Sequence, residues 1–183
     1  MTLAAGLSNG QSVVIRQWDT FYTVPRGRLK LRAFPPEDNE PAANWSGELI
    51  AYDRPDHKGP KTSHYSITPV TDALGLGATL ARSLSVLGEV KKTRTLFLVG
   101  QTRVHFDRVK GLGDFIELEV VLREGQSEVE AQTIAAGLMA DLGIRKKDLI
   151  AVAYLDMVLA LDESRRSLPN MAPPQAKAFK TER

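Results

Sequence analysis

Charges of one sign recur at every second position along several segments that have the composition of β-strands. Successive side chains of a strand point to opposite faces, so residues i and i+2 share a face. Faces with a single sign of charge are formed by Arg28, Lys30 and Arg32, by Lys92 and Arg94, and by Glu117 and Glu119. Like charges at this spacing repel each other slightly, so the arrangement costs stability unless a counter-ion bridges them.

The counter-ions that fit these faces are a polyphosphate and a divalent cation. An anion would bridge the basic faces, and a cation such as Mg²⁺ would bridge the acidic one. Arg103, His105 and Asp107 share a face on a fourth strand. An amphipathic sheet with its charges in solvent explains any one strand, but charged faces on four strands favour a shared binding face. The predicted inward cations are Arg28, Lys30, Arg32, Arg54, Lys92, Arg94 and Arg103, and the predicted inward carboxylates are Glu48, Asp107, Glu117 and Glu119. Their excess of three positive charges would suit a triphosphate with bound metal.

His105, on the same face, is predicted to be a hydrogen-bonded structural histidine rather than a ligand.

The elements that position these charges are strands followed by helices. Strand patterns cover residues 13–24, 28–34, 47–54, 62–68, 90–100, 102–109 and 114–123, and helix patterns cover 71–87, 127–143 and 148–161. Ser127 and Glu130 form a capping box at the start of one helix. This order predicts an α+β fold with a mostly antiparallel sheet. We expect one domain over residues 1–161, and a disordered tail over 162–183 because that segment is polar and contains three prolines.

The composition of the 183 residues excludes several classes of protein. A net charge of +2 gives no bulk support for binding nucleic acid or a membrane surface, and no apolar run approaches the length of a membrane span. The absence of cysteine rules out disulfides and thiolate metal sites. We therefore predict a cytoplasmic protein whose partner is a small molecule.

The order and spacing of several motifs resemble the CYTH family, which includes class IV adenylyl cyclases and thiamine triphosphatases and is also called the triphosphate tunnel metalloenzymes. The resemblance covers roughly residues 9–159 and rests on Asp19-Thr20-Phe21-Tyr22, Gly27-Arg28-Leu29-Lys30-Leu31-Arg32, the segment Glu48–Pro55, Lys92-Thr93-Arg94 and the segment Arg103–Glu119. It implies an antiparallel β-barrel, or tunnel, of about eight strands with helices packed outside. It also implies a triphosphate bound inside the tunnel with Mg²⁺ or Mn²⁺.

The resemblance also implies roles for individual residues. The phosphate-binding set would be Lys30, Arg32, Arg54, Lys92, Arg94 and Arg103, to which the face pattern adds Arg28. Glu117 and Glu119 would bind the metal, and Asp107 would be a further metal ligand or a catalytic residue that positions water. The substrate would be ATP, thiamine triphosphate or inorganic triphosphate.

One departure from the family pattern leaves the activity open. The N-terminal Glu-x-Glu-x-Lys strand of the family is missing, since no glutamate precedes Glu37. We therefore expect a tunnel that is open along one side, with an unpaired strand edge that would allow a homodimer. The chain could be an enzyme that hydrolyses a triphosphate or cyclises ATP to cAMP. Alternatively, it could be a catalytically impaired module that binds triphosphate or polyphosphate, or a purely structural one.

Overall fold

The computed structural model describes residues 1–8, 10–36, 45–53 and 64–167. Seven strands form one antiparallel sheet in the order β4-β3-β2-β1-β5-β6-β7. The strands are β1 (Ser12–Tyr22), β2 (Arg28–Phe34), β3 (Ser46–Asp53), β4 (His64–Val70), β5 (Val86–Val99), β6 (Thr102–Val109) and β7 (Gly113–Val120). The helices are α1 (Thr2–Leu7), α2 (Ala73–Ser83), α3 (Glu128–Asp141) and α4 (Tyr154–Ser167), with a 3₁₀ turn at Lys146–Asp148. The predicted α+β class and antiparallel sheet are confirmed.

The sheet is not closed. Within the described residues β4 and β7 remain the two edges of the sheet. The expectation of a tunnel open along one side agrees with this arrangement.

The face opposite the charges carries most of the helices and the core. Ala4 of α1 and Leu138 of α3 pack with the buried side chains of Phe97 and Val104. Glycines let α2 lie close to the sheet, since a Cβ at Gly47 would press on the Arg32 carbonyl oxygen and lie 2.9 Å from Ala73 Cβ. The core therefore holds the sheet from one side and leaves the other side available for a site. No helix within the described part of the chain is long and apolar enough to cross a membrane.

The helix boundaries differ from the sequence prediction at two places. The predicted helix over 71–87 ends at Ser83, and β5 begins at Val86 rather than at residue 90. The predicted helix over 148–161 is replaced by the 3₁₀ turn and by α4, which continues beyond residue 161 to Ser167. Two local contacts support this extension: Ser164 Oγ donates to the Ala160 carbonyl at 2.8 Å, and Arg165 lies 4.0 Å from Asp162. Helix α4 therefore extends past residue 161 into the predicted tail, whose other residues, 168–183, lie outside the described residues, and the domain boundary at 161 stays a prediction.

The predicted capping box of α3 is confirmed, and α2 is capped in a similar way. Ser127 and Glu130 cap α3 reciprocally, with the Glu130 carboxylate 2.8 Å from the Ser127 amide nitrogen. Asp72 caps α2 by accepting a hydrogen bond from the Gly75 amide at 2.8 Å. These caps satisfy amide groups that have no partner inside the helix, which is why the local sequence locates them well.

Candidate functional site

The strand register places all described members of the predicted charged set on one face of the sheet. Residues directly opposite each other in paired strands point to the same side. The register pairs Arg32 with both Asp19 and Glu48, Arg94 with Asp107, His105 with Glu117, and Arg103 with Glu119. Arg28 and Lys30 alternate with Arg32 along β2, and Lys92 alternates with Arg94 along β5. Arg54 lies outside the described residues, so its predicted role stays a prediction.

One carboxylate clamps the two cations of β2. Lys30 Nζ donates to Asp19 Oδ2 at 3.0 Å, and Arg32 donates through Nε to Oδ1 at 2.8 Å and through Nη2 to Oδ2 at 3.0 Å. The Asp19 side chain is only 4% exposed. Burial alone would raise the pKa of Asp19, but Lys30 and Arg32 outweigh it and hold the pKa well below its usual range. Asp19 is therefore ionised and fixes both cations. We call Asp19, Lys30 and Arg32 the first clamp.

The same arrangement recurs two strands away. Lys92 Nζ donates to Asp107 Oδ2 at 2.8 Å, and Arg94 donates to both oxygens of Asp107 at 2.6 Å. The side chains are 4% exposed for Lys92, 9% for Arg94 and 0% for Asp107. We call these three residues the second clamp. In both clamps a Lys-x-Arg strand is bound by an aspartate from the neighbouring strand, so the two clamps present matched pairs of cations.

Gln17 lies on β1 between the two clamps. It is opposite Lys92 in the register, two residues before Asp19, and it is buried. Its Oε1 atom is buried and has no hydrogen-bond partner among the described residues. A buried amide oxygen without a partner costs free energy, and because it is an acceptor it requires a donor such as a water molecule rather than an anion.

The carboxylates of β7 lie beside the second clamp and are more accessible. Glu117 Oε2 is 2.7 Å from Arg94 Nη2 and 3.7 Å from His105 Nδ1, and its side chain is 48% exposed. Glu119 pairs with Arg103 at 3.3 Å. His105 is buried between the two glutamates, with its Nε2 at 3.9 Å from Glu119 Oε2. These two glutamates can still reach a ligand on the charged face.

Two glutamates suit a metal ion that arrives with a phosphate chain, whereas Asp107 fits less well as a ligand. Mg²⁺ is usually held by one or two carboxylates together with substrate phosphates. Both Asp107 oxygens already accept hydrogen bonds from Lys92 and Arg94. Among the described residues, no group of three or more histidine, aspartate or glutamate side chains could hold a metal ion. The metal roles of Glu117 and Glu119, and the metal and catalytic roles of Asp107, stay predictions.

Two residues near the site were missed by the sequence analysis. Asp19 was not included among the predicted inward carboxylates, although the side chains of its strand β1 alternate between the two faces of the sheet as they do in the other strands. With Asp19 included, the described face carries six cations and five carboxylates, so the predicted excess of three positive charges is wrong for the described residues. Tyr154 was also missed, because it comes from α4 and no pattern within the strands points to it.

Comparison with known proteins agrees with this architecture. The family model for the CYTH domain matches residues 1–154. A search of curated proteins finds no match. Among solved structures, PH1012 from Pyrococcus horikoshii OT3 is 19% identical with a TM-score of 0.69, over 85% of this chain and 92% of that one. PH1819 from the same organism is 19% identical with a TM-score of 0.66, over 88% and 94%. A Vibrio parahaemolyticus protein named a putative adenylate cyclase is 18% identical with a TM-score of 0.62, over 86% and 91%. At these identities the structural likeness shows a shared fold.

Proposed function

The chain belongs to the CYTH domain family, and from this premise we propose that its charged face binds the triphosphate group of a phosphorylated small molecule. The observation that carries the proposal is the pair of matched clamps. Taking charges out of water is costly, and each clamp takes two cations and an aspartate largely out of water, so stability alone does not explain two such clusters. Repetition on the two strands that flank β1 is expected where successive groups of one polyanion must be recognised.

The clamps keep donors available for such an anion. Arginine carries five N–H donors and lysine carries three. Among the described residues, the clamp aspartates and, for Arg94, also Glu117 accept from only part of these donors, and we propose that the other N–H groups bind phosphate oxygens. Charge-assisted hydrogen bonds of this type are short and strong. Because the aspartates fix the cations in advance, less side-chain entropy is lost when the anion binds.

The spacing of the clamps suits a chain of phosphoryl groups rather than a single one. β2 and β5 flank β1, so their backbones lie about 10 Å apart at the usual strand spacing. Long cationic side chains from the two strands would contact different phosphoryl groups of one ligand. Glu117 and Glu119 would then hold Mg²⁺ or Mn²⁺ against the phosphate oxygens. That ion would neutralise part of the phosphate charge.

Calorimetric titration with tripolyphosphate, pyrophosphate and orthophosphate tests the proposal. Affinity should rise with the number of phosphoryl groups and should rise further when Mg²⁺ or Mn²⁺ is present. Sulfate at the same ionic strength is the control for simple screening of charge. Equal affinity for all four anions would show that the face is only a region of positive potential.

The finer question is whether the bound triphosphate reacts. Hydrolysis would require an activated water at the terminal phosphorus, and cyclisation of ATP would require the ribose 3′-hydroxyl at the α-phosphorus. Both depend on a firmly held metal ion. The described residues offer two accessible glutamates on one strand, which favours binding with slow turnover over efficient catalysis. We therefore propose a triphosphate-binding module of impaired activity as the second candidate.

Assays of phosphate and cAMP release separate these candidates. ATP, thiamine triphosphate and tripolyphosphate should each be turned over well below 1 s⁻¹ with Mg²⁺ or Mn²⁺, whereas ordinary enzymes reach about 1 s⁻¹ or more. Turnover at that ordinary rate would establish the enzyme instead and would require carboxylates beyond Glu117 and Glu119.

A further inference from the structure

The two edges of the sheet differ in the charge that they carry. Among the described residues β4 pairs only with β3, and β7 pairs only with β6. β7 contains Asp114, Glu117 and Glu119, so two copies of β7 side by side would bring like charges together. β4 has the sequence His-Tyr-Ser-Ile-Thr-Pro-Val and contains no aspartate, glutamate, lysine or arginine. Proteins protect an edge strand with charged residues, especially lysine, or with proline. β4 has a proline only near its end, so most of this edge lacks such protection.

Pro69 fixes which backbone groups of β4 point away from the sheet. Pro69 lies opposite Glu48 in the β3–β4 register and has no N–H to donate. A proline fits an edge strand where the N–H position faces away from the neighbouring strand. Because the direction of these groups alternates along an antiparallel strand, the N–H and C=O groups of Tyr65 and Ile67 also point away from β3. The outer edge of β4 therefore presents the donors of these two residues, and their carbonyls with that of Pro69, to a further strand.

The side chains beside these backbone groups are exposed and suited to a strand. Tyr65 is 53% exposed and Ile67 is 45% exposed. Tyr65 is opposite Tyr52, which is opposite Arg28, so both exposed side chains lie at the margin of the charged face. Aromatic and β-branched residues are the types that pair best across antiparallel strands. The backbone and the side chains of this edge thus both favour the addition of a strand.

We propose that two copies of this chain associate through their β4 strands, which pair antiparallel about a two-fold axis at Ser66. In this register Tyr65 of one copy lies opposite Ile67 of the other, and the outward N–H groups of both residues meet a carbonyl. Neither strand carries a charge that opposes the contact, so the edge is complementary to itself. An axis at Ile67 would instead place Tyr65 opposite Pro69 of the other copy, where the proline ring stands in place of a donor. The two-fold pair is closed and leaves neither β4 edge exposed.

Sedimentation analysis of the full chain over a wide range of concentrations tests the proposal. Stable interfaces bury about 800 Å² on each partner, and the paired segment is short, so we expect a reversible dimer whose average mass rises with protein concentration. Ile67→Lys places a charge at the contact and should raise the dissociation constant at least tenfold. Ile116→Lys is the matched control, because Ile116 is 46% exposed on β7, the other edge strand, and this variant should dimerise like the wild-type chain.

Cysteine variants test the register. The chain contains no cysteine, so a single introduced thiol can form a disulfide only with that of a second copy. Ser66 lies on the proposed axis, where the two opposite Cα atoms would be about 4.5 Å apart, within the range that a disulfide spans. Ser66→Cys should therefore give a disulfide-linked dimer on mild oxidation. Thr68→Cys is the control, since Thr68 is also exposed and shares a face with Ser66, but lies about 13 Å along the strand from its counterpart in this register. Its cross-linking should be at least tenfold slower.

Three results would overturn the proposal. A wild-type chain that stays monomeric at every concentration would do so, whether or not its edge binds an extended segment of another protein. A dimer that Ile67→Lys leaves intact would use another surface. Equal cross-linking of Ser66→Cys and Thr68→Cys would refute the register. If circular dichroism shows that Ile67→Lys does not fold, the two cysteine variants decide. The proposed dimer does not rest on triphosphate binding, which calorimetry tests separately.

Discussion

Replacing both cations of the first clamp, Lys30→Ala with Arg32→Ala, should weaken tripolyphosphate binding by at least tenfold. A well-made charge-assisted contact is worth about 1.5–3 kcal/mol, and the variant removes two side chains that can make one. A factor of ten corresponds to about 1.4 kcal/mol, so tenfold is a lower bound. Calorimetry at a temperature well below the unfolding midpoint measures the change directly.

The structure predicts a second effect in the same variant. Asp19 loses Lys30 at 3.0 Å and Arg32 at 2.8 Å, although its side chain is only 4% exposed. A buried charge whose partners are removed destabilises a protein by about 3–5 kcal/mol. The double variant should therefore unfold more easily, and the unpaired carboxylate should also repel the anion.

A triple variant that adds Asp19→Asn separates the two effects. The triple variant removes the buried, unpaired charge of Asp19, so the unfolding free energy should recover in part. Tripolyphosphate binding should stay at least tenfold weaker than that of the wild-type chain. Arg108→Ala is the matched control, because Arg108 lies on the opposite face, is 79% exposed and pairs with Asp114. A folded triple variant with wild-type affinity would refute the assignment of this face to phosphate binding.

Three further predictions follow from the site and the core. First, binding of Mn²⁺ to the free chain should be weak and should strengthen on addition of tripolyphosphate, since Glu117 and Glu119 need phosphate oxygens to complete the coordination; tight binding to the free chain in a metal titration would contradict this. Second, burial acts to raise the pKa of Asp19 and Asp107, but their cation partners hold both below the usual 3.8. Their contribution to stability should be complete above about pH 5 and should decline as the pH falls below about 4; chemical denaturation across this range should show a smaller decline for Asp19→Asn. Third, Gly47→Ala should lower the unfolding free energy by about 1–3 kcal/mol, because the new Cβ has no space beside Arg32 and Ala73. Gly137→Ala, whose Cβ would meet nothing within 4 Å, should be neutral or stabilising in thermal unfolding.

The site itself was predictable to the extent that it depends on alternation along single strands. Lys30 and Arg32, like Lys92 and Arg94, share a face because the backbone of any strand places side chains i and i+2 on the same side. The pairs were therefore located before any fold was considered. The same rule applied to Asp19 would have placed it on one face of β1, but nothing local shows which face of β1 joins the basic residues of β2. That choice depends on the pairing of Asp19 with Arg32 across the strands.

The identity of the ion-pair partners could not be predicted from the strands one at a time. Arg94 could have faced Glu117, Asp107 or a phosphate, and the β5–β6 register places Asp107 opposite it. Register depends on the hydrophobic face of the whole sheet and on turn geometry, which are properties of several segments together. The pairing of Asp19 with Arg32, which no single strand shows, likewise makes the expected excess of positive charge too large for the described residues.

The sequence by itself determined the strands, the capping box of α3, the shared faces of like charge and the family, because each of these is encoded in short segments and their order. Only the tertiary structure decided that Asp19 and Asp107 clamp the two Lys-x-Arg pairs, that the sheet does not close, and that Tyr154 of α4 reaches Lys92 of the second clamp. The physical reason is distance along the chain. Alternation and capping act over two to four residues, whereas the clamps join residues 11 to 15 positions apart, and β6, β7 and α3 lie between Lys92 and Tyr154 along the chain.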